Sequence, residues 1–153
     1  MILVNIEILR EVGMISRCIH SICDIRYKEI GLEKGQFLFV VRVLENPGIN
    51  QETLSEMLKV DKTTVAKALK KLSEKGYIDK VKSKSDGRAY ELYPTEKAKE
   101  VEVFLKKIED DVNAEALMTI NDQEQAYLYE KLHEIRLHIE DNWNDVRKNR
   151  KAK

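Results

Sequence analysis

Between Lys59 and Arg88 the chain carries ten basic side chains, Lys59, Lys62, Lys67, Lys70, Lys71, Lys75, Lys80, Lys82, Lys84 and Arg88, against four acids, Asp61, Glu74, Asp79 and Asp86. Cations this dense suit the neutralisation of a row of phosphates. Short hydroxyls are interleaved with them. Thr63 and Thr64 can donate to or accept from a base edge, while Lys62 and Lys67 have the reach for phosphate or guanine. Gln51 and Thr53 add an amide and a hydroxyl just upstream. Lys82, Lys84, Ser85, Asp86 and Arg88 cluster around Gly87, where a turn is expected to project. A cationic arm of that kind can enter the minor groove, where the negative potential is enhanced. Asp86 is an unusual neighbour for phosphate unless it pairs with Arg88 and sets its direction. Lys70, Lys71 and Lys75 read as a plain solvated face.

The formal net charge is zero, but that average hides a segregation. From Glu100 to Asp145 the balance reverses, with thirteen acids against Lys106, Lys107, Lys131 and Arg136. One part of the molecule is suited to face phosphate and another to face away from it.

The elements that must position these residues follow from apolar spacing. Residues from about Asn5 to Lys28 place Ile6, Leu9, Ile15, Ile19, Ile22 and Ile25 at helical intervals, ending at Gly31. A helix apolar on most sides spans about Glu33 to Glu45, stopped by Asn46-Pro47-Gly48. Asn50 caps a short helix, Lys59-Val60 makes a turn, and Asp61 caps a second helix through Glu74 with Val65, Ala68, Leu69 and Leu72 inward. Gly76 stops it. The period then drops to two. Tyr77–Lys82 and Ala89–Tyr93 form a hairpin whose tip is the basic turn. Thr95 opens one long helix with Ala98, Val101, Phe104, Leu105, Ile108 and Val112 on its apolar face. A last helix from Asn121 or Asp122 carries Leu128, Leu132, Ile135, Ile139, Trp143 and Val146, followed by a frayed basic tail from Arg147.

The expected fold is mostly α with a small β-hairpin wing. Residues 33–95 make a winged helix-turn-helix lobe for duplex DNA, and residues 1–30 and 96–150 a helical region. The first and last helices have apolar stripes too long for one small core, so Ile6, Leu9, Ile135, Ile139 and Trp143 are expected to bury themselves in a homodimer. Two recognition helices would then meet a pseudo-palindromic operator.

Other chemistries have less support. Cys18 and Cys23 lie five apart on a helix, which argues against a mutual disulfide. They allow a redox sensor, with Arg17 or His20 aiding Cys18, but buried structural thiols suit an Ile-rich helix better. His133 and His138 miss the three- or four-residue spacing that would put two metal ligands on one helical face, and His20 lies far from both in sequence. No metal or cofactor is expected. No hydrolase-type constellation stands out, so no enzyme is expected. The apolar runs are too short for a membrane span or a secretory leader, which suggests a cytoplasmic protein. A winged helix used as a protein–protein module is the rival reading, and the lysine-rich hairpin argues against it.

The runs Asn46-Pro47-Gly48-Ile49-Asn50-Gln51-Glu52-Thr53-Leu54, Val60-Asp61-Lys62-Thr63-Thr64-Val65, Lys75-Gly76-Tyr77-Ile78, Asp86-Gly87-Arg88 and Pro94-Thr95-Glu96-Lys97 resemble the MarR family of bacterial and archaeal regulators. The resemblance implies a dimeric transcriptional repressor with interlocking terminal helices. It assigns recognition to the helix from Asp61 and wing contact to Arg88, and implies release of DNA by a small aromatic ligand or by oxidation. An effector site would fall where the first, second and fifth helices meet the winged lobe. His20, Tyr27, Phe37 and Phe104 are candidates to line it, though core packing accounts for them equally well. Two positions depart from the pattern: Ala98, where the family often has Gly, and Gly87, where a second Arg is frequent, which implies modest wing affinity.

Overall fold

The computed structural model describes the backbone of residues 2–151 and the side chains of residues 7–149. The chain forms two compact units, Met1–Asp110 and Asp111–Lys153.

The first unit opens with α1 (Ile2–Tyr27), continued by one 3-10 turn at Lys28–Ile30 and closed by Gly31 in the left-handed region at φ 74°. Helix α2 (Gln36–Glu45) begins later than expected, because Lys34 and Gly35 both have positive φ and break any helix at Glu33. The Gly35 amide donates to Asp24 Oδ1 at 2.8 Å, which ties this bend back to α1. Gln36, Phe37, Phe39, Val40 and Val43 are the buried residues of α2.

A two-residue strand, β1 (Ile49–Asn50), follows Pro47-Gly48. It leads into α3 (Gln51–Leu58), a turn with Lys59 left-handed at φ 55°, and α4 (Lys62–Glu74). Both caps form as their residue types dictate: Asn50 Oδ1 accepts from Thr53 N at 2.8 Å, and Asp61 Oδ1 from Thr64 N at 2.9 Å. The wing is β2 (Ile78–Lys82) against β3 (Tyr90–Pro94), antiparallel, with Ile78 opposite Pro94 and Lys82 opposite Tyr90. It is not a two-stranded hairpin, as the sequence suggested. Strand β1 adds to the other edge of β3, giving the order β1-β3-β2. Two residues are too few to show a period, so β1 left no signal in the sequence. Gly48 enters it at φ 89°, its amide donating to Leu92 O at 2.8 Å; a Cβ there would meet Tyr93 Oη at 3.2 Å.

Leu54, Val65, Leu69, Leu72, Ile78 and Leu92 are all essentially inaccessible and form the core between α3, α4 and the sheet. The helix expected from Thr95 is divided in two. Helix α5 (Glu96–Glu100) ends at Val101, and α6 (Glu102–Leu117) continues from there. Thr95 Oγ1 accepts from Ala98 N at 3.2 Å and donates to Gly76 O at 2.6 Å, so the hydroxyl both caps α5 and latches it to the end of α4.

In the second unit, Asn121 and Glu124 exchange two side chain–backbone hydrogen bonds of 3.0 Å, a reciprocal cap for α7 (Asp122–Lys151). The basic tail is not frayed from Arg147, since α7 runs helical through Lys151 and the Arg147 guanidinium lies 4.1 Å from the Trp143 ring centre. No described helix is long and apolar enough to cross a membrane.

Candidate nucleic-acid interface

Helix α4 buries one stripe and exposes the other. With Val65, Leu69 and Leu72 inward, Thr63, Thr64 and Lys67 are exposed and Lys62 is half-exposed at its first turns. The Asp61 cap controls this end. Its carboxylate accepts from both the amide and the hydroxyl of Thr64, and these bonds, the hydroxyl's foremost, hold its pKa below the ordinary Asp value. The Thr64 hydroxyl is therefore committed as a donor at 2.7 Å, and only its lone pairs remain for a base edge. That corrects the expectation that both threonines present free hydroxyls; the Thr63 side chain makes no such bond among the described residues. Lys62 Nζ pairs with Glu52 Oε1 of α3 at 2.6 Å, so it meets an anion only by exchanging partners. On α3, Gln51 is half-buried and Thr53 exposed, beside the capped helix start.

At the wing, Lys82, Lys84, Ser85, Asp86 and Arg88 are all exposed. The turn is built from hydroxyls. Ser83 Oγ, on a buried residue, accepts from the amides of Ser85 and Asp86 at 3.3 Å each and lies 3.0 Å from Ser85 Oγ. Asp86 does not pair with the guanidinium of Arg88. Its Oδ1 accepts the Arg88 backbone amide at 3.1 Å, an Asx turn that fixes the backbone and leaves the guanidinium without a carboxylate partner among the described residues.

The four aromatic effector candidates do come together. The Tyr27 ring lies 4.8 Å from Phe37 and 6.4 Å from Phe104, and His20 meets Phe37 edge-on at 6.0 Å. Tyr27 is buried, its hydroxyl donating to Leu105 O at 3.0 Å, and burial raises its pKa. His20 is exposed, so the cluster runs from core to surface. The cysteines differ. Cys23 is buried and desolvation raises its thiol pKa, which disfavours the thiolate; Cys18 is exposed, contrary to the expectation that both are buried. Among the described residues no group of three or more His, Cys, Asp or Glu is placed to hold a metal.

Of the expected dimer contacts, Leu9, Ile135 and Ile139 are exposed and Trp143 is half-buried; the Ile6 side chain lies outside the described residues. The structure adds two members that the stripe reading passed over, Ile8 and Val12. Together with Ile15 and Ile22 on α1, and with Leu128, Leu132, Ile135 and Ile139 on α7, they are exposed at spacings of three, four or seven. Ile8 and Val12 could have been found by testing both heptad registers of α1. Lys75, expected on a solvated face, is half-buried and donates to Gly31 O at 2.6 Å and Gln36 Oε1 at 2.8 Å.

The sequence model of the MarR family matches residues 32–90, from before α2 to the first residue of β3. The uncharacterized HTH-type transcriptional regulator YybA of Bacillus subtilis is 42% identical over 145 residues, covering 95% of this chain and 97% of that protein. Among solved structures, a MarR protein from Peptoclostridium difficile is 45% identical with a TM-score of 0.87, covering 91% of each chain. A putative MarR family regulator from Listeria monocytogenes, complexed with a 26mer DNA, is 38% identical with a TM-score of 0.89, covering 92% of this chain and 93% of that one.

Proposed function

The chain belongs to the MarR family of transcriptional regulators, and from that membership we propose that it is a homodimeric, sequence-specific repressor that reads duplex DNA with α4 and the wing. One observation carries the reading: within the first unit, the N-capped start of α4 and the Asx-turned wing tip both expose cations and hydroxyls. Thr63 and Lys67 address base edges and adjacent phosphates from the major groove. Arg88, its guanidinium without a carboxylate partner among the described residues, enters the minor groove. The DNA complex of the Listeria relative supports this assignment by likeness.

The same reading makes the apolar faces of α1 and α7 the dimer interface, and the aromatic cluster of His20, Tyr27, Phe37 and Phe104 the site where a small aromatic ligand loosens the DNA complex. A regulator of this kind works in the cytoplasm.

The deciding experiment is fluorescence anisotropy on a labelled duplex from the gene's own upstream region, across a salt series. Binding by two subunits per duplex, stronger than to random DNA, with log K falling by about 0.9 per phosphate contact per log salt, is the expected outcome. Salt-insensitive or sequence-blind binding would refute it.

A further inference from the structure

We propose that a cleft at the C-terminal end of α4 binds a small phosphate monoester. The cleft, of about 380 Å³, lies between the 3-10 turn after α1, the C-terminus of α4 and the start of α5. Lys28, Lys75 and Lys97 line it together with Ile30, Tyr77 and Glu33.

Three lysines line this one cleft, in a protein whose formal net charge is zero. Their protein partners are uncharged. Lys75 Nζ donates to Gly31 O and Gln36 Oε1, and Lys97 Nζ donates to Lys75 O at 2.8 Å while lying 4.4 Å from the centre of the Tyr77 ring. Among the described residues no carboxylate comes within 4.0 Å of any of the three, Glu33 included, and Lys28 makes no hydrogen bond through its side chain. Each ammonium has three donors, so most of those lining the cleft lack a protein acceptor. Like charges gathered around one cavity repel, and an anion between them relieves that repulsion.

The charge pattern selects the anion. A phosphate monoester carries about −1.5 to −2 charges at neutral pH and offers three acceptor oxygens, whereas a carboxylate offers one charge and two oxygens. Lysines bind phosphate as separate point charges, which suits three ammonium groups on three different segments. The cleft is larger than a phosphate group needs, and Ile30 among its lining residues offers the organic remainder an apolar surface. Its walls are already pinned: the Tyr77 hydroxyl donates to Ile30 O, and Lys75 holds Gly31. The ligand would therefore meet a largely preformed site.

Isothermal titration of the full chain with glycerol 3-phosphate, against acetate at equal ionic strength, tests this. Saturable binding equimolar with the chain is expected, weakened about tenfold in Lys75→Gln or Lys97→Gln, as for loss of one charged hydrogen bond. Lys28→Gln removes a side chain that makes no hydrogen bond or ion pair among the described residues, so it keeps the test valid if the Lys75 variant misfolds; it should weaken binding severalfold, and Lys131→Gln on α7 should not. Non-saturating heats, equal binding of acetate, or wild-type affinity in Lys28→Gln and Lys97→Gln would overturn the proposal. A DNA phosphate is the other source of the same chemistry. If Lys28→Gln lowered the salt slope of duplex binding by about one, the cleft would belong to the DNA backbone instead of a small ligand.

Discussion

Helix α4 has 13 residues and buries Val65, Leu69 and Leu72 completely, whereas α7 has 30 and buries none of its described side chains. Both are amphipathic by spacing. The difference lies in what faces them. The apolar stripe of α4 meets α2, α3 and β2 of its own unit, while Leu128, Leu132, Ile135 and Ile139 of α7 stand 36–57% exposed. The inner face of α4 is thus completed by the chain itself, which leaves its outer face free for a ligand as large as DNA. On α7 the described apolar side chains are the exposed ones, and a second copy of the chain is the partner proposed for them. A helix can be equally regular in both cases and still have opposite roles.

The contrast can be broken first at the core of the α4 region. Leu69→Ala should cost about 2–5 kcal/mol of unfolding free energy, read by denaturant melts, because it empties a fully enclosed site. The double variant Ile135→Asp, Ile139→Asp should leave the fold of the first unit intact by circular dichroism. It should yield monomers in sedimentation and lower operator affinity about a hundredfold, through loss of bivalency. If it remained a dimer, the interface would lie elsewhere. Next comes the wing. Arg88→Ala should weaken operator binding by about 1–3 kcal/mol, with no change in melting temperature. Asn50→Ala should reduce stability by about 1 kcal/mol through the lost cap of α3, a much smaller effect than a core truncation nearby.

The smallest effect is expected at the α4 cap and depends on pH. Hydrogen bonds from Thr64 depress the Asp61 pKa in the folded state, so its contribution is fully present above the ordinary Asp value. That contribution is lost as pH falls through the depressed folded value. Asp61→Asn keeps an acceptor at the cap but cannot titrate, so its stability should fall less than that of wild type on acidification below about pH 4. Parallel curves for the two proteins would show that the cap hydrogen bonds, and not the charge, hold the helix start.

Legibility followed the range of the forces involved. Cap residues act on amides three positions away, and Asn50, Asp61 and Thr95 each occupy the role their types implied. The exposure of Thr63 and Lys67 was readable for the same reason, since the buried stripe sets the opposite face. Strand β1 was not readable, because its two residues are strands only by pairing with Leu92 and Glu91 some forty positions later. Asp86 was misread in its target and not its place: a short carboxylate reaches its neighbour's backbone amide more readily than a long guanidinium. Lys75 was assigned to solvent because its acceptors, Gly31 and Gln36, are distant in sequence.

Residue order alone therefore determined α3 and α4, the caps at Asn50, Asp61 and Thr95, the wing's position and the concentration of basic charge between Lys59 and Arg88, because all of these rest on contacts within a few positions. Tertiary structure decided which cations are engaged and which have no carboxylate beside them, which thiol is exposed, and that three lysines from separate segments line one cleft. Those outcomes depend on distances between chain segments that local periodicity does not encode. A charge is neutralised, a thiol desolvated or a cleft enclosed only by groups that folding brings there.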